Sequence, residues 1–429
     1  MRSVVGALAL AGCVAAPAVA ASGSHDVQVT PRTFHAMLAE RTDSAGRLSD
    51  HTQFLLSPGE YRLVPSAYVD STCGNCEDPR TLVEASVGAR LSGAGILVTG
   101  TGSGPEEVVI HTGAGYGILF EDCEGCVLQN VSVTGGVRDA DGNATDAAVV
   151  VKRSSVRIEA CRIADNIGAA SRVAEVVVGI IGIAGREGAR IDILRNAIVR
   201  NSWDGIALYR GAQATIEENL IDGVDKARGK RIGGGRGVGI GVTWDARASI
   251  RRNRVTRYWK GIGIFVDARA DVQENVVEEV LTWGIAYWDA GRGRPVARIE
   301  RNVVFDTGAC GISITRQAGG EPSPGACRDN LVFRTGQDPK YDDPEYYCIQ
   351  TAVAIQSRPE GFAIERNVLF GNRRAPETLP DHDLPPDEFA RRARPWVARL
   401  SALPSLRDSR CLGEIRAMLD AGGRPVRQE

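Results

Sequence analysis

The chain of 429 residues carries 50 glycines and 19 prolines, with 43% hydrophobic residues, 24% charged residues and a formal charge of -2. Glycine exceeds its average of roughly 7%, yet glycine plus proline stays well below the roughly 25–30% of low-complexity chains, which excludes disorder and collagen. The near-neutral charge leaves no overall basic face for nucleic acid.

Met1-Arg2-Ser3, an apolar run over residues 4–16 and the small residues Ala18-Val19-Ala20 read as a signal peptide over 1–20. Leu10-Ala11-Gly12-Cys13 overlaps it and resembles a bacterial lipoprotein box. Secretion or a periplasmic location is therefore expected, with an outer-membrane lipid anchor through Cys13 as the alternative. No later stretch has the roughly 18 apolar residues of a membrane helix. In residues 21–52, Thr30 reads as a helix N-cap, Pro31 as the first helical residue, and Phe34, Met37 and Leu38 as a buried face.

After Cys13 come Cys73, Cys76, Cys123, Cys126, Cys161, Cys310, Cys327, Cys348 and Cys411, an odd set that leaves one unpaired unless a dimer forms. Cys73-Gly-Asn-Cys76 and Cys123-Glu-Gly-Cys126 have zinc-like spacing, but in an exported chain disulfides are the expected reading.

From Cys123 a unit recurs: an apolar-alternating stretch ending in Asn, an apolar residue two positions on, then Gly-Ile-x-Ile and a turn. The Asn positions are 130, 196, 219, 253, 275, 302, 330 and 367, with Cys161 in the same place. Units as short as 22 residues cannot fold alone, so they must stack. These residues resemble the right-handed parallel β-helix family that includes pectate lyases and polygalacturonases, over roughly Gln53 to Asn372. Ser57-Pro58-Gly59-Glu60-Tyr61 is similar to the family's opening segment. The resemblance implies an all-β solenoid over 53–372, entered through an N-terminal capping helix and followed by a Pro-rich, partly helical cap over 373–429. It also implies a ladder of inward Asn amides, in which Cys161 substitutes a small thiol and becomes the unpaired cysteine.

Fourteen residues before four of the ladder positions stands a strand glycine: Gly182, Gly205, Gly239 and Gly261. Extra residues enter just before this strand after Cys161 and Asn219, and just after it beyond Gly284 and Gly311. Insertions on both sides of one strand column are expected to wall a groove. Its floor is small, with Ala184, Ala207, Gly241, Gly263, Ala286 and Ser313 outward, and its rim is Arg186, Tyr209, Thr243, Phe265, Trp288 and Thr315.

Five of the six tryptophans, Trp203, Trp244, Trp259, Trp283 and Trp288, gather here. Flat rings suit the apolar faces of sugars, and equally they suit packing against loops. With Tyr209, Arg236 and Arg316 they form the expected substrate-binding set. Asp204 and Lys260 each precede a strand glycine, and the loop with Lys226, Arg228, Lys230, Arg231 and Arg236 is basic. For a lyase, Lys260 or Arg236 would remove the proton beside a uronate carboxylate. Asp245, Asp267 and Asp289 recur every 22 residues. In register they would share a proton, act as a glycosidase pair or hold a cation such as Ca²⁺, although Asp also builds turns. Asp204, Lys260, Asp245 and Asp267 are thus the catalytic candidates. The expected partner is an acidic polysaccharide, acted on by a lyase or hydrolase or bound by a non-catalytic surface protein.

Overall fold

The computed structural model describes residues 25–168, 179–224, 237–317, 324–336, 351–356, 359–372 and 384–420. The signal peptide, Cys13, Lys226, Arg228, Lys230, Arg231, Arg236 and Cys348 lie outside them, as does most of the two insertions expected before the glycine strand.

Within the described residues, three sheets of 12, 11 and 11 strands wind into one coil. The first sheet runs from His25–Val29 to Phe362–Glu365, the second from Gly59–Arg62 to Val368–Phe370, and the third from Ser66–Asp70 to Thr351–Gln356. Strand pairs are parallel, except that Ser66–Asp70 runs antiparallel to Val83–Ala94. The fold is the expected parallel β-helix. Period-2 alternation explains each strand: in Arg190–Leu194, Ile191 and Ile193 are buried while Arg190 is exposed. Inside the coil like residues stack on like, as in the row Ile206, Ile240, Ile262, Ile285 and Ile312, none of them exposed to solvent. Each such side chain contributes about 1.5–3 kcal/mol by leaving water.

The asparagine ladder accounts for the bend between the first and second sheets. From Asn196 to Asn330, the Oδ1 of each asparagine accepts from the main-chain N–H of the ladder residue one coil earlier. The last acceptor is Asn367, bonded by Asn330. Cys161 takes the ladder place as expected, its N–H donating to Asn196 Oδ1 at 2.9 Å. Asn130 does not belong to it. The register Glu159 with Gln129 puts Val131, not Asn130, beside Cys161. Asn130 instead holds the left-handed bend position (φ 52°) that Arg195, Glu218 and Glu274 fill in later coils, and its amide donates to Gly100 O and Gly102 O. Asn tolerates that backbone region well, which is why it stands one place early.

The strand glycines are required by close stacking. A Cβ at Gly205 would stand 2.6 Å from Gly239 O, and one at Gly239 would stand 2.7 Å from Gly261 O.

Three expectations shift at the ends and among the cysteines. Helix α1 spans Phe34–Glu40 with Thr33, not Thr30, as N-cap, because residues 30–33 form a turn whose Thr30 carbonyl accepts from Thr33 and Phe34. It covers the end of the coil core through Phe34 and Leu38, above Phe54, Leu63 and Leu91. A strand, His25–Val29, precedes it and pairs with Thr52–Leu56, so the first sheet begins within residues 21–52, ahead of the capping helix. At the other end, helices α2 (Pro386–Leu400) and α3 (Arg410–Asp420) lie along the flank of the second sheet, burying Phe389, Leu412 and Ile415 with Val303, Phe305 and Phe333. Disulfides join Cys73 to Cys76 and Cys123 to Cys126. Cys161 is a buried free thiol as expected, but Cys411 in α3 is a second one. None of the described helices is long and apolar enough to cross a membrane.

Candidate functional site

The outer face of the third sheet carries two kinds of surface. Over its early coils lies a strap, residues 71–82, closed by the Cys73–Cys76 disulfide. Under it sits a buried charge network in which Lys152 Nζ donates to Asp70 Oδ1 at 2.5 Å and Arg186 pairs with the other oxygen of Asp70. Burial opposes ionisation of Asp70, but Arg186 and Lys152 more than offset it and hold the carboxyl at about 2. Arg186 also donates to Thr72 O and Oγ1 of the strap, and Arg210 to Gly74 O and Cys76 O. Arg186 and Tyr209, expected on an open rim, are therefore covered: Tyr209 is 5% exposed and Arg186 is fully buried.

Beyond the strap, one outward row passes in register through Ile181, Asp204, Val238, Lys260, Trp283, Cys310 and Thr351. The strand glycine next to each position except Thr351 lets successive coils close tightly, so this row holds side chains of successive coils near one another. Asp204 Oδ1 accepts from the Val238 N–H at 2.6 Å. Burial raises the Asp204 carboxyl most, the Val238 N–H and the Lys260 charge oppose it, and the result is about 7. Two coils on, Lys260 Nζ lies 3.3 Å from the centre of the Trp259 ring and 4.8 Å from that of Trp283. Indole faces attract a cation, so the two rings clamp the Lys260 amino group in place. Trp283 and Phe265 meet Trp288 edge-on at 6.2 and 6.3 Å. Trp203, Trp259 and Trp288 are half-buried and Trp283 is buried.

Asp204 takes up a proton on folding, because its pKa rises from 3.8 to about 7. Well below 3.8 the group is neutral in both states; stability then falls as pH climbs from there to about 7, where the buried carboxyl ionises. Asp204→Asn is expected to remove that part of the slope, by a few kcal/mol between the two limits. Urea unfolding across pH measures it, and an unchanged slope in the variant contradicts this environment for Asp204.

Other expected site residues serve the framework. Asp245 and Asp267 are in register, but Asp245 Oδ1 accepts from the Gly211 N–H and Asp267 Oδ1 from the Asp245 N–H, each at 2.7 Å. Asp289 is one place off: the pairing of Phe265 with Trp288 aligns it with Val266, and its oxygens accept from Gln317 and Gly291 N–H groups. Arg316 is buried beside it, Nε to Oδ2 4.0 Å. A proton-sharing or Ca²⁺-binding stack of three does not fit these positions, and no group of three acidic, His or Cys ligands occurs among the described residues. Trp244 is also occupied. Arg210 and Arg292 lie 4.2 and 4.5 Å from its ring centre, and its Nε1 donates to Asn75 of the strap. The floor faces outward as expected, yet it is covered: Ala184 and Ala207 pack under Tyr209, and Phe265 folds over Gly263. Sequence reading missed the strap, because its contacts join residues as much as 215 positions apart.

The right handed beta helix region family model matches residues 94–229 and 181–323, and the chain belongs to that family. No curated protein sequence matches it. Among solved structures it is similar to an alginate lyase from Paenibacillus sp. str. FPU-7, with 12% identity, 81% of this chain and 97% of that one covered, and a TM-score of 0.42. It is also similar to the periplasmic alginate epimerase AlgG (10%, 81% and 84%, 0.41) and to PfbA, a surface adhesin of Streptococcus pneumoniae (10%, 75% and 69%, 0.39). A lyase, an epimerase and an adhesin thus stand at the same low level of likeness, which selects none of them.

Proposed function

We propose that this is an exported protein acting on an extracellular acidic polysaccharide, most simply by elimination across a uronate. The observation that carries the reading is the row holding a carboxyl with a pKa of about 7 two coils from an ammonium clamped by indoles. An acid tuned near neutral pH suits proton transfer in both directions, and a fixed cation suits a substrate carboxylate. Asp204 accepts the proton from the carbon beside the carboxylate, the freed electron pair forms the double bond as the glycosidic C–O bond breaks, and the leaving sugar oxygen takes a proton from water or back from Asp204. Lys260, read from sequence as the base, becomes the cation that neutralises the uronate, since two indole faces fix its amino group on the same row as Asp204. Trp203, Trp259 and Trp288 offer ring surface beside it. Hydrolysis by Asp245 and Asp267 is the poorer reading, because both stand exposed in turns beyond the strand, off the row that holds Lys260, and close those turns through main-chain N–H groups. Export is supported by residues 1–20 and by two disulfides. Non-catalytic glycan binding is the second reading, favoured by the unreactive outward row of Ala184, Ala207, Gly241, Gly263 and Ala286.

A panel of polyuronates and neutral glycans, followed by unsaturated-product absorbance and by reducing ends, tests the proposal. Product from a polyuronate alone is expected; binding without product supports the second reading, and neither binding nor product removes both.

A further inference from the structure

A second concave surface lies on a different face, the outside of the first sheet, where a trough of about 490 Å³ spans five coils, the last of them through Val296 and Arg298. Register builds it. One wall is the row Arg190, Gln213, Arg247 and Arg269, and the floor is the row Asp192, Thr215, Ser249 and Asp271. Short floor residues beside long wall residues make the depression, and successive members stand about 4.8 Å apart along the coil axis.

Unpaired charge marks the trough. Many exposed or half-exposed arginines elsewhere on the coil pair with carboxylates, as Arg153 does with Asp122, Arg257 with Asp222 and Arg366 with Asp329. Arg190, Arg247 and Arg269 are exposed and have no ion-pair partner among the described residues. The floor acids do not neutralise them, because Asp192 faces Arg157 at 3.8 Å and Asp271 faces Arg298 at 4.0 Å, at the two ends. Three unpaired guanidiniums along one wall, with Thr215 and Ser249 hydroxyls between the ends, match a linear chain bearing both anionic groups and hydroxyls. Guanidinium binds carboxylate or sulfate through paired N–H donors. Base stacking would need aromatic rings, which the trough lining lacks, and a lipid surface would need large exposed apolar groups, whereas Ile191, Ala214, Ala248 and Ala270 of the lining are buried and only Val296 is half-exposed.

We propose that this trough is a second binding site, separate from the Asp204–Lys260 row, for a linear carboxylated or sulfated glycan lying along the coil axis. Titration calorimetry with sodium polygalacturonate and with neutral dextran tests it in a Lys260→Met background, against the same background carrying Arg247→Glu and Arg269→Glu. Expected are polygalacturonate binding that weakens with added salt, a loss of about tenfold or more in the double charge reversal with an unchanged thermal melt, and no dextran binding. Arg190→Gln provides the same test through a milder change, with a smaller loss expected. Unchanged affinity in these variants, equal affinity for dextran, absence of polygalacturonate binding, or displacement by duplex DNA at equal charge concentration overturns the assignment.

Discussion

Replacing Asn275 by alanine is expected to cost about 3–5 kcal/mol, far more than most point changes in the protein. Asn275 is fully buried. Its Oδ1 accepts from the Asn253 N–H and Nδ2, both at 3.0 Å, and the two N–H groups of its Nδ2 are shared among Ile250 O at 2.9 Å, Gln273 O at 3.1 Å and Asn302 Oδ1 at 3.0 Å. Alanine leaves donors on one coil and carbonyls on another without partners, in a place water does not reach, and the loss spreads because each amide polarises the next. Asn130→Ala is the internal comparison. Its amide reaches only Gly100 O and Gly102 O at a partly exposed bend, so about 1 kcal/mol is expected there. Denaturant unfolding of both variants checks the contrast; equal losses would mean that the ladder does not hold the bend.

Lys260→Met is expected to lower turnover of a polyuronate by about 10²–10⁴-fold while leaving the melt close to wild type. Methionine fills the space between Trp259 and Trp283 without the charge, so the variant separates the ammonium from the packing around it. Asp204→Asn is expected to reduce the rate by a similar factor. In the wild type, activity should climb as pH rises through about 7, because the base form of Asp204 is the ionised one. A rate that falls through that range, or a Lys260→Met enzyme with wild-type turnover, contradicts the assigned roles. Stability and activity thus move oppositely with pH in this window: ionising Asp204 costs folding free energy and creates the base.

The coil was legible because its determinants are local and repeated. Gly205, Gly239 and Gly261 recur where neighbouring carbonyls leave no room for a Cβ, and Asn219, Asn253 and Asn275 recur where a buried bend needs an amide. Register across insertions was less legible. Asn130 and Asp289 both match by residue type and spacing while standing one place out, since a count along the chain does not say on which side of a strand an extra residue falls. Cover was hidden as well. Nothing near Tyr209 or Trp244 in sequence announces that residues 71–82 lie over them. The repeated Asp-Ala-Arg-Ala at 245 and 267 held a signal that the acids obscured: its aspartates close turns, whereas its arginines, Arg247 and Arg269, line an open wall. The N-terminal strand His25–Val29 and the flank position of α2 and α3 depend on long-range pairing that no local pattern encodes.

The most direct test of the central claim follows unsaturated-product absorbance during incubation of the purified chain with a polyuronate, beside Lys260→Met under the same conditions. The Asp204–Lys260 assignment predicts steady product formation by the wild type and little or none by the variant, with polymer binding retained in both. Product formed equally by both, or binding by the wild type with no product from any polyuronate, would contradict it.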